Sequence, residues 1–430
     1  MYQKRRIVLH CDLNNFFASV ECVCRPELSG LPVAVCGAVE ERHGICLAKN
    51  EIAKAAGVRT GDTVATVRRK CPEAVIVPPR YGEYGIYSRA VQEIYGRFTD
   101  LVEPFGCDES WLDVSGSTRL FGDGRTIADT IRETVKAETG LTISVGVSFN
   151  KIFAKLGSDL KKPDAVTCIP EDAFRRIVWP LAVTELLGVG PAAARALEKR
   201  CVRTIGQLAA TPPEYLHGWL GKSGVTLWHY ANGLDASPVI PAAEADPIKS
   251  ISHGMTPRRD IASSEEMTAF ILEMAQEVGE RLRKYGMTAS GVRLSVRDTH
   301  LVNRDFQTTL PTPTAHTDTI AQAAIRLFLQ NYRWTAPVRS VSVGVFKLAD
   351  TAAPIQLDLW TDTAAAERQA KLDGVMDSLR ARYGVHSIHA ASYLRLTAGQ
   401  GDTVSLLDAS RTWNPGYSFG ERGRGVLDGS

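Results

Sequence analysis

The chain has 430 residues, 44% of them hydrophobic, and its formal net charge is +2. At roughly 100–200 residues per domain, this length predicts two to four domains, and the composition excludes a disordered chain. No apolar run approaches the roughly 20 residues that span a bilayer, and residues 1–6 do not resemble a signal peptide. We therefore expect a cytoplasmic, monomeric protein without a membrane partner. The nine cysteines include no CxxC pair, so we expect neither a disulfide framework nor a zinc module.

The first 170 residues alternate between strand and helix patterns. Short apolar runs predict strands at 7–12, 31–36, 44–48 and 142–147. Apolar residues at helical spacing predict helices at 16–23, 50–56, 84–98, 127–139 and 151–160. Two further strands, at 101–105 and 110–114, flank a bend and predict a hairpin. This order predicts an α+β fold with a ferredoxin-like sheet layer.

The remaining chain changes character twice. Short helical segments between residues 171 and 236 predict a small all-helical module. Residues 237–250 hold three prolines and show no period, which predicts a linker. A second α+β domain is predicted beyond it, from helices at 264–285 and 317–332 and strands at 291–297, 305–310 and 338–348. A last helix is predicted at 364–383.

Charge is distributed unevenly along the chain. Residues 149–203 carry a net charge of +4 and residues 281–347 carry +7, whereas residues 204–280 carry −6. Two basic blocks separated by an acidic stretch fit a protein that holds a polyanion such as nucleic acid in two places. Charge alone does not distinguish this hypothesis from an ordinary solvated surface.

Three acidic residues are candidates for a metal site. Asp12 ends the first predicted strand, and Asp108 and Glu109 lie at the predicted hairpin bend. On neighbouring strands the three carboxylates would converge, and their repulsion would raise their pKa values. Mg²⁺ relieves such repulsion, and two such ions can activate an attacking oxygen and stabilise a leaving one in phosphoryl transfer. Any one of these acids alone could instead simply cap or turn the chain.

Three segments resemble motifs of a known family. Residues 10–21 (HCDLNNFFASVE), residues 107–114 (CDESWLDV) and residues 144–151 (SVGVSFNK) with Lys161-Lys162-Pro163 resemble the motifs of Y-family (DinB/UmuC-type) translesion DNA polymerases. The resemblance covers about residues 5–360. It implies a palm and fingers in 1–170 (fingers about 30–80), a helical thumb with a helix-hairpin-helix in 171–236, a linker in 237–250, a little finger in 251–350 and a clamp-binding peptide with a C-terminal extension in 351–430.

The resemblance also implies the chemistry of the site. A template-dependent DNA polymerase of the lesion-bypass class would transfer a nucleotide from a dNTP to a primer 3′-OH on primer–template DNA. Two Mg²⁺ would be held by Asp12, Asp108 and Glu109 with the main-chain carbonyl of Leu13. Phe17 falls at the steric gate, the aromatic residue that presses on the sugar where a ribonucleotide carries its 2′-OH.

The positions expected to bind the triphosphate match the family only in part. Lys162 matches the family lysine that reaches the triphosphate, whereas Glu51 and Lys54 stand where the family commonly has Tyr and Arg. Lys54 can replace Arg as a point charge, and Glu51 would repel phosphate, so we expect Glu51 to point away. Lys49 or Arg59 could compensate. Asn14 stands where the family often has Asp, a position that is not usually a side-chain ligand.

Two regions are candidates for binding DNA. Gly188 and Gly190 precede a predicted helix in a helix-hairpin-helix pattern, where glycines let backbone amides approach a phosphate. The +7 block predicts contacts to the DNA backbone, and strand alternation places only some of its arginines on the DNA face. The candidate arginines on or beside its strands are Arg293, Arg297, Arg304 and Arg339.

A peptide near the C-terminus predicts a protein partner. Gln356-Leu357-Asp358-Leu359-Trp360 resembles the pentapeptide that binds the bacterial sliding clamp, although a buried strand would give a similar pattern. Residues 361–395 are similar to the C-terminal extension of UmuC-like members. Two alternatives to a polymerase stay open: a palm-type nucleotidyl cyclase, and a non-catalytic, clamp-tethered DNA-binding accessory protein.

Overall fold

A computed structural model describes residues 6–37, 44–244, 247–354, 363–384 and 387–391. The chain divides into two compact units, the first ending at Asp246 and the second beginning at Pro247. None of the helices in these described ranges is long and apolar enough to cross a membrane.

The first unit contains two sheets and a set of short helices. Its strands are β1 (Val8–Leu13), β2 (Val33–Cys36), β3 (Cys46–Lys49), β4 (Val75–Val77), β5 (Val102–Phe105), β6 (Glu109–Asp113), β7 (Ile143–Ser148) and β8 (Val166–Ile169). Its helices are α1 (Phe16–Cys24), α2 (Glu51–Ala55), α3 (Val64–Lys70), α4 (Tyr81–Gly96), α5 (Thr118–Phe121), α6 (Gly124–Thr139), α7 (Lys151–Leu160), α8 (Phe174–Val178), α9 (Pro191–Glu198), α10 (Ile205–Ala210), α11 (Pro213–Leu220) and α12 (Lys222–Ala231).

The larger sheet has the strand order β5-β6-β1-β7-β8. β1 lies at its centre, and all six of its residues are buried because it is covered on both faces. Side chains of α4 and α6 pack against β1 in one hydrophobic core. α7 covers β7 so closely that a Cβ at Gly146 would lie 1.8 Å from the carbonyl oxygen of Ala154. This sheet is the ferredoxin-like layer that the sequence predicts.

The smaller sheet has the order β3-β2-β4, with β2 and β3 antiparallel and β2 and β4 parallel. It lies in the region that the sequence predicts as fingers. α2 begins next to it because the Asn50 side chain accepts a hydrogen bond from the Ala53 amide, as expected of an N-cap.

Short helices α8 to α12 form the helical module, whose core includes Leu197, Ile205 and Leu227. The predicted linker that follows it packs in part against the larger sheet. Val239 is buried, and the amide of Ile240 donates to the Glu103 carboxylate at 2.9 Å. The proline-rich sequence predicts only a linker. The contact is not visible in the sequence because Glu103 lies 137 residues earlier in the chain.

The second unit is a four-stranded antiparallel sheet with helices on one face. It comprises β9 (Ser250–Met255), α13 (Ser264–Lys284), β10 (Met287–Asp298), β11 (Asn303–Thr314), α14 (Thr317–Asn331), β12 (Val338–Asp350) and α15 (Thr363–Tyr383). The strand order is β11-β10-β12-β9. Phe270 on α13 and Phe328 on α14 are buried in the same core as Val292 and Leu294 of β10. The opposite face of the sheet carries small and polar residues.

Candidate active site

The structure brings the three candidate carboxylate residues to one end of the larger sheet. Asp12 on β1 lies opposite Glu109 on β6 in the antiparallel register. Asp108 is in the turn before β6, and its carbonyl oxygen accepts a hydrogen bond from the Leu13 amide at 2.9 Å. The hairpin β5–β6 therefore presents Asp108 and Glu109 beside the end of the central strand.

Asp12 is buried and forms an ion pair with Lys162. Its Oδ2 lies 2.8 Å from Lys162 Nζ, which also contacts Asp159 Oδ1 at 2.7 Å. Burial raises the pKa of Asp12 to about 6, although the Lys162 ammonium acts in the opposite direction. The ammonium thus supplies positive charge where the buried carboxylate needs it.

Glu109 has different partners and a different protonation behaviour. Its carboxylate contacts Lys155 Nζ and lies 3.2 Å from Nε2 of the fully buried His10. Burial opposes ionisation of Glu109, but the hydrogen bonds from His10 and Lys155 outweigh it and lower its pKa to about 2. For Asp108, burial and the neighbouring Glu109 charge raise the pKa. The Nδ1 atom of His10 lies 2.8 Å from the Ser158 hydroxyl, which fixes the ring.

The donor set fits a hard divalent cation, but the side chains are arranged around lysines. Within the ranges that the structure describes, no group of three His, Cys, Asp or Glu side chains could hold a metal ion as it stands. Asp12 and Glu109 instead face Lys162 and Lys155. Carboxylate and carbonyl oxygens are the ligands that Mg²⁺ prefers. The lysine contacts are made by Oδ2 of Asp12 and Oε2 of Glu109, and an ionised carboxylate has a second oxygen that can accept another ligand.

Phe17 is supported by a second aromatic residue. Its ring stacks on Tyr84 with centroids 4.2 Å apart and planes 11° from parallel. Tyr84 is fully buried and donates from its hydroxyl to Glu21 at 2.7 Å. Arg80 also donates to that Glu21 carboxylate. This network fixes the ring of Phe17, which lies five residues after Asp12 in the sequence.

Asn14 connects the strand end to the segment that carries Lys162. Its Oδ1 accepts from the Asp164 amide at 2.9 Å, and its Nδ2 donates to the Ser144 hydroxyl at 2.9 Å. A carboxylate could accept from the same amide and from the same hydroxyl. Asn at this position can therefore connect the end of β1 to the segment that carries Lys162, as Asp could.

The other candidate triphosphate residues lie on or beside α2. Glu51 accepts hydrogen bonds from Asn15 and from Lys54. That it points away from a bound triphosphate stays a prediction. Lys49 donates to the Thr60 hydroxyl at 3.0 Å. Arg59 is held through its main chain, whose amide donates to the Asp62 carboxylate.

The helical module contains two glycine turns at helix starts. Gly188 has φ of +93°, which favours glycine, and Gly190 is the N-cap residue of α9. The space where a Cβ of Gly190 would lie is open. The second turn was missed by sequence reasoning: Gly221 has φ of +64°, and a Cβ at Gly224 would lie 2.2 Å from the Leu216 carbonyl oxygen. The glycine spacing of residues 221–224 was the available signal.

The four candidate arginines of the second unit do not share one face. Arg293 and Arg297 are exposed on β10, on the sheet face away from the core residues Val292, Leu294 and Val296. Arg304 lies opposite Val296 in the register, pairs with Asp298 at 2.8 Å and stacks on Tyr332. Arg304 therefore lies on the helix-covered face of the sheet, and its contact with DNA stays a prediction. Arg339 falls in the register shift between β10 and β12.

The open face forms a shallow groove beside Arg293. The groove encloses about 410 Å³, and half of its ten lining residues are serine or glycine. Its small polar and glycine residues are Ser250, Ser252, Ser295, Ser342 and Gly344. Such a face allows another molecule to approach the sheet backbone closely. The clamp-peptide residues Gln356, Leu357, Leu359 and Trp360 lie outside the described residues.

Comparisons with known proteins agree with this architecture. Residues 11–159 match the model of the impB/mucB/samB family, and residues 248–359 match the model of that family's C-terminal domain. A solved Y-family DNA polymerase chimera of Dbh and Dpo4 superposes with a TM-score of 0.72 at 22% identity, covering 80% of this chain and 99% of the chimera. The α+β multidomain fold is therefore the Y-family fold, with a separate C-terminal sheet domain.

Curated relatives cover nearly the whole chain. DNA polymerase IV of Acetivibrio thermocellus is 46% identical over 391 residues, which are 91% of this chain and 98% of the relative. DNA polymerase IV of Moorella thermoacetica is 39% identical, covering 89% of this chain and 95% of the relative. DNA polymerase IV 2 of Bacillus subtilis is 35% identical, covering 92% and 96%.

These relatives decide against the cyclase and the non-catalytic accessory protein, because the similarity extends through both matched domains of a polymerase. The chain belongs to the Y-family of translesion DNA polymerases, in its DNA polymerase IV branch, and is a DNA-directed DNA polymerase.

Proposed function

We propose that nucleotide transfer takes place at the end of β1, where Asp12, Asp108 and Glu109 converge. The observation that carries this assignment is the register of β1 and β6, which sets Asp12 opposite Glu109, with Asp108 in the adjoining turn. The residues that would hold two Mg²⁺ are these three acids and the main-chain carbonyl of Leu13. The ions would activate the primer 3′-OH and stabilise the leaving pyrophosphate oxygen.

Two lysine side chains place positive charge beside the acids of this site. Lys162 lies beside Asp12, and Lys155 lies beside Glu109. Cations bound by these carboxylates would weaken both ion pairs, and the two ammonium groups would then be available to the phosphates of an incoming nucleotide. Lys162 is therefore assigned to the triphosphate, with Asn14 holding its segment through the Asp164 amide.

Phe17 is assigned to sugar selection. Its ring is braced by Tyr84, whose hydroxyl is in turn fixed by Glu21. A braced ring cannot move aside without disturbing a buried hydrogen bond, so it would exclude a 2′-OH by contact.

Primer–template DNA would be held through its phosphates by both units. In the first unit, the turns at Gly188–Gly190 and Gly221–Gly224 present the amide ends of α9 and α12, which favour anions. In the second unit, Arg293 and Arg297 lie on the open face of the sheet. Contacts of this kind position a duplex without reading its sequence, which suits an enzyme that copies any template.

The peptide Gln356–Trp360 is proposed to bind the bacterial sliding clamp. The support is its sequence alone, in which Gln356, Leu359 and Trp360 supply a polar anchor and two apolar anchors.

Primer extension with Asp108→Ala tests the site. Asp108 supplies a proposed metal ligand, so its loss should reduce extension by at least about 100-fold, equivalent to several kcal/mol of lost charge stabilisation. Duplex binding, measured by fluorescence anisotropy, should stay close to wild type. Asp100→Ala, which changes an exposed acid outside the site, is the matched control. Extension by the Asp108 variant at the control's rate would refute the assignment.

A further inference from the structure

Glu51 links the helix α2 to the residue that precedes α1. It is the first residue of α2, and its Oε1 accepts from Asn15 Nδ2 at 2.9 Å and from Lys54 Nζ at 3.2 Å. Asn15 directly precedes α1, three residues after Asp12. One carboxylate oxygen therefore connects α2 to the loop that follows the candidate metal site.

The Glu51 bridge joins Asn15 to the start of α2, which Asn50 holds by hydrogen bonds. Asn15 has φ of 50°, and its side chain makes no capping hydrogen bond to α1. Its side-chain amide donates to Glu51. On the other side, Asn50 fixes the start of α2, because its Oδ1 accepts from the Ala53 and Val33 amides. Its Nδ2 donates to the Leu31 carbonyl.

A bound triphosphate would compete with this bridge. The phosphates would lie between Asp12, Lys162 and the first turn of α1, next to Asn15. Glu51 is negatively charged and would repel them, whereas Lys54 would attract them. In the structure the Lys54 ammonium is engaged by Glu51, so a phosphate has to take it from the carboxylate.

From this competition we propose that Glu51 limits the affinity of the enzyme for incoming dNTPs by restraining Lys54 and by its own charge. The inference rests on the triphosphate site proposed above. It makes Glu51 a positioning residue that acts through Lys54, and it implies synthesis that saturates at a higher dNTP concentration than synthesis by an enzyme without the bridge.

The exposure of the pair makes the idea testable without unfolding the protein. Side chains of Glu51 and Lys54 are 44% and 48% exposed, and exposed ion pairs contribute little to stability. Glu51→Gln removes the charge but keeps an oxygen that can accept from Asn15. The substitution therefore separates the charge effect from the hydrogen bond to Asn15.

Single-nucleotide incorporation should be measured for wild type, Glu51→Gln, Lys54→Ala and the double variant. We expect Glu51→Gln to lower the KM for dNTP by about 3- to 10-fold, as for loss of a nearby repulsive charge, with little change in kcat. Lys54→Ala should raise KM. In the Lys54→Ala background, Glu51→Gln should lower KM much less than it does in the wild type. Glu27→Gln, at an exposed acid of the same unit, is the control. An unchanged or raised KM in Glu51→Gln would overturn the proposal.

A second measurement excludes effects on chemistry. The Kd for dNTP should be measured on the complex with a dideoxy-terminated primer–template. In Glu51→Gln it should fall by the same factor as KM. If Lys162→Ala leaves KM and Kd unchanged, the proposed triphosphate site is wrong. If Lys162→Ala weakens binding while Glu51→Gln does not strengthen it, only the role of Glu51 fails.

Discussion

At the scale of single residues, the three acids at the end of β1 are made unequal by their neighbours. Asp12 is buried with one lysine, and its pKa is raised to about 6, whereas Glu109 has two donors and a pKa of about 2. A cation placed beside Asp12 would favour the ionised form of its carboxyl group, as the Lys162 ammonium already does. The partners that act on these groups are Lys155 on α7, Lys162 in the segment after α7, and His10 on β1.

Phe17 provides the residue-scale test of sugar selection. Phe17→Ala should raise incorporation of ribonucleotides relative to deoxyribonucleotides, because it removes the ring that would meet the 2′-OH. The measurement is the ratio of kcat/KM for dNTP and rNTP in wild type and variant. Phe16 is buried under Tyr84 and faces the core, so it is not an alternative. An unchanged ratio would show that selection lies elsewhere.

At the scale of elements, α15 attaches to the second unit by charge. Asp373 is buried and accepts from the Thr317 amide at the start of α14 at 3.2 Å. Arg283 on α13 forms hydrogen bonds of 2.6 and 2.9 Å to Asp377. Leu372 and Val375 are more than half exposed. This helix therefore buries charged residues and exposes apolar ones, the reverse of the usual amphipathic pattern.

Glu277 on α13 makes the second unit sensitive to pH. Burial and the nearby Glu280 raise its pKa to about 7, against the opposing charge of Arg380 on α15. The stabilising contribution of the neutral carboxyl is full below its usual pKa of 4.5 and is lost as pH rises through about 7. The fold should therefore be less stable at pH 8 than at pH 5 on account of this group.

Glu277→Gln should remove that dependence. At pH 8 the variant should be more stable than wild type by about 1 to 2 kcal/mol, and at pH 5 the difference should shrink. Urea unfolding of the full chain at both pH values measures it. Glu367→Gln, at an exposed position of α15, should change neither value. A variant that is less stable than wild type at pH 8 would contradict the assignment.

At the scale of the whole molecule, the chain joins two matched domains through a helical module. The family models match residues 11–159 and 248–359, and the helical module lies between them. The peptide proposed to bind the clamp, residues 356–360, comes at the end of the second match, more than 240 residues after Glu109. A tether so far along the chain from the proposed catalytic acids would raise the local concentration of the enzyme on DNA without taking part in the chemistry.

Replacing Gln356, Leu359 and Trp360 by Ala should abolish clamp binding and clamp-stimulated synthesis. Apolar anchors of docked peptides each contribute about 2 kcal/mol or more. Basal extension should persist, since no catalytic group is changed. Clamp binding, basal extension and melting temperature should be measured on the same variant. Intact clamp binding would reject the motif, and a large fall in melting temperature would indicate a buried strand instead.

Many of the helices could be predicted because their apolar periodicity and caps involve residues that are close together in the sequence. The helix Lys151–Leu160 has the predicted bounds, and α1, α6, α13 and α14 differ from prediction by a few residues at their ends. Apolar periodicity and caps such as Asn150 are properties of neighbouring residues, so they are visible in the sequence. The hairpin bend places Asp108 and Glu109 at a strand end for the same reason, whereas their meeting with Asp12 depends on the pairing of β1 with β6, which followed from the predicted ferredoxin-like sheet.

The neighbours of those acids were decided only by the tertiary structure. Lys162 reaches Asp12 across 150 residues of sequence, and His10 reaches Ser158 across 148. The face of Arg304 depended on the register of β10 and β11, and the bridge from Glu51 to Asn15 depended on where α2 packs. By itself the sequence determined which residue types stand at the strand ends and turns, because these follow local periods. Only the packing of distant segments decided which charges meet, because contact between remote residues leaves no local pattern.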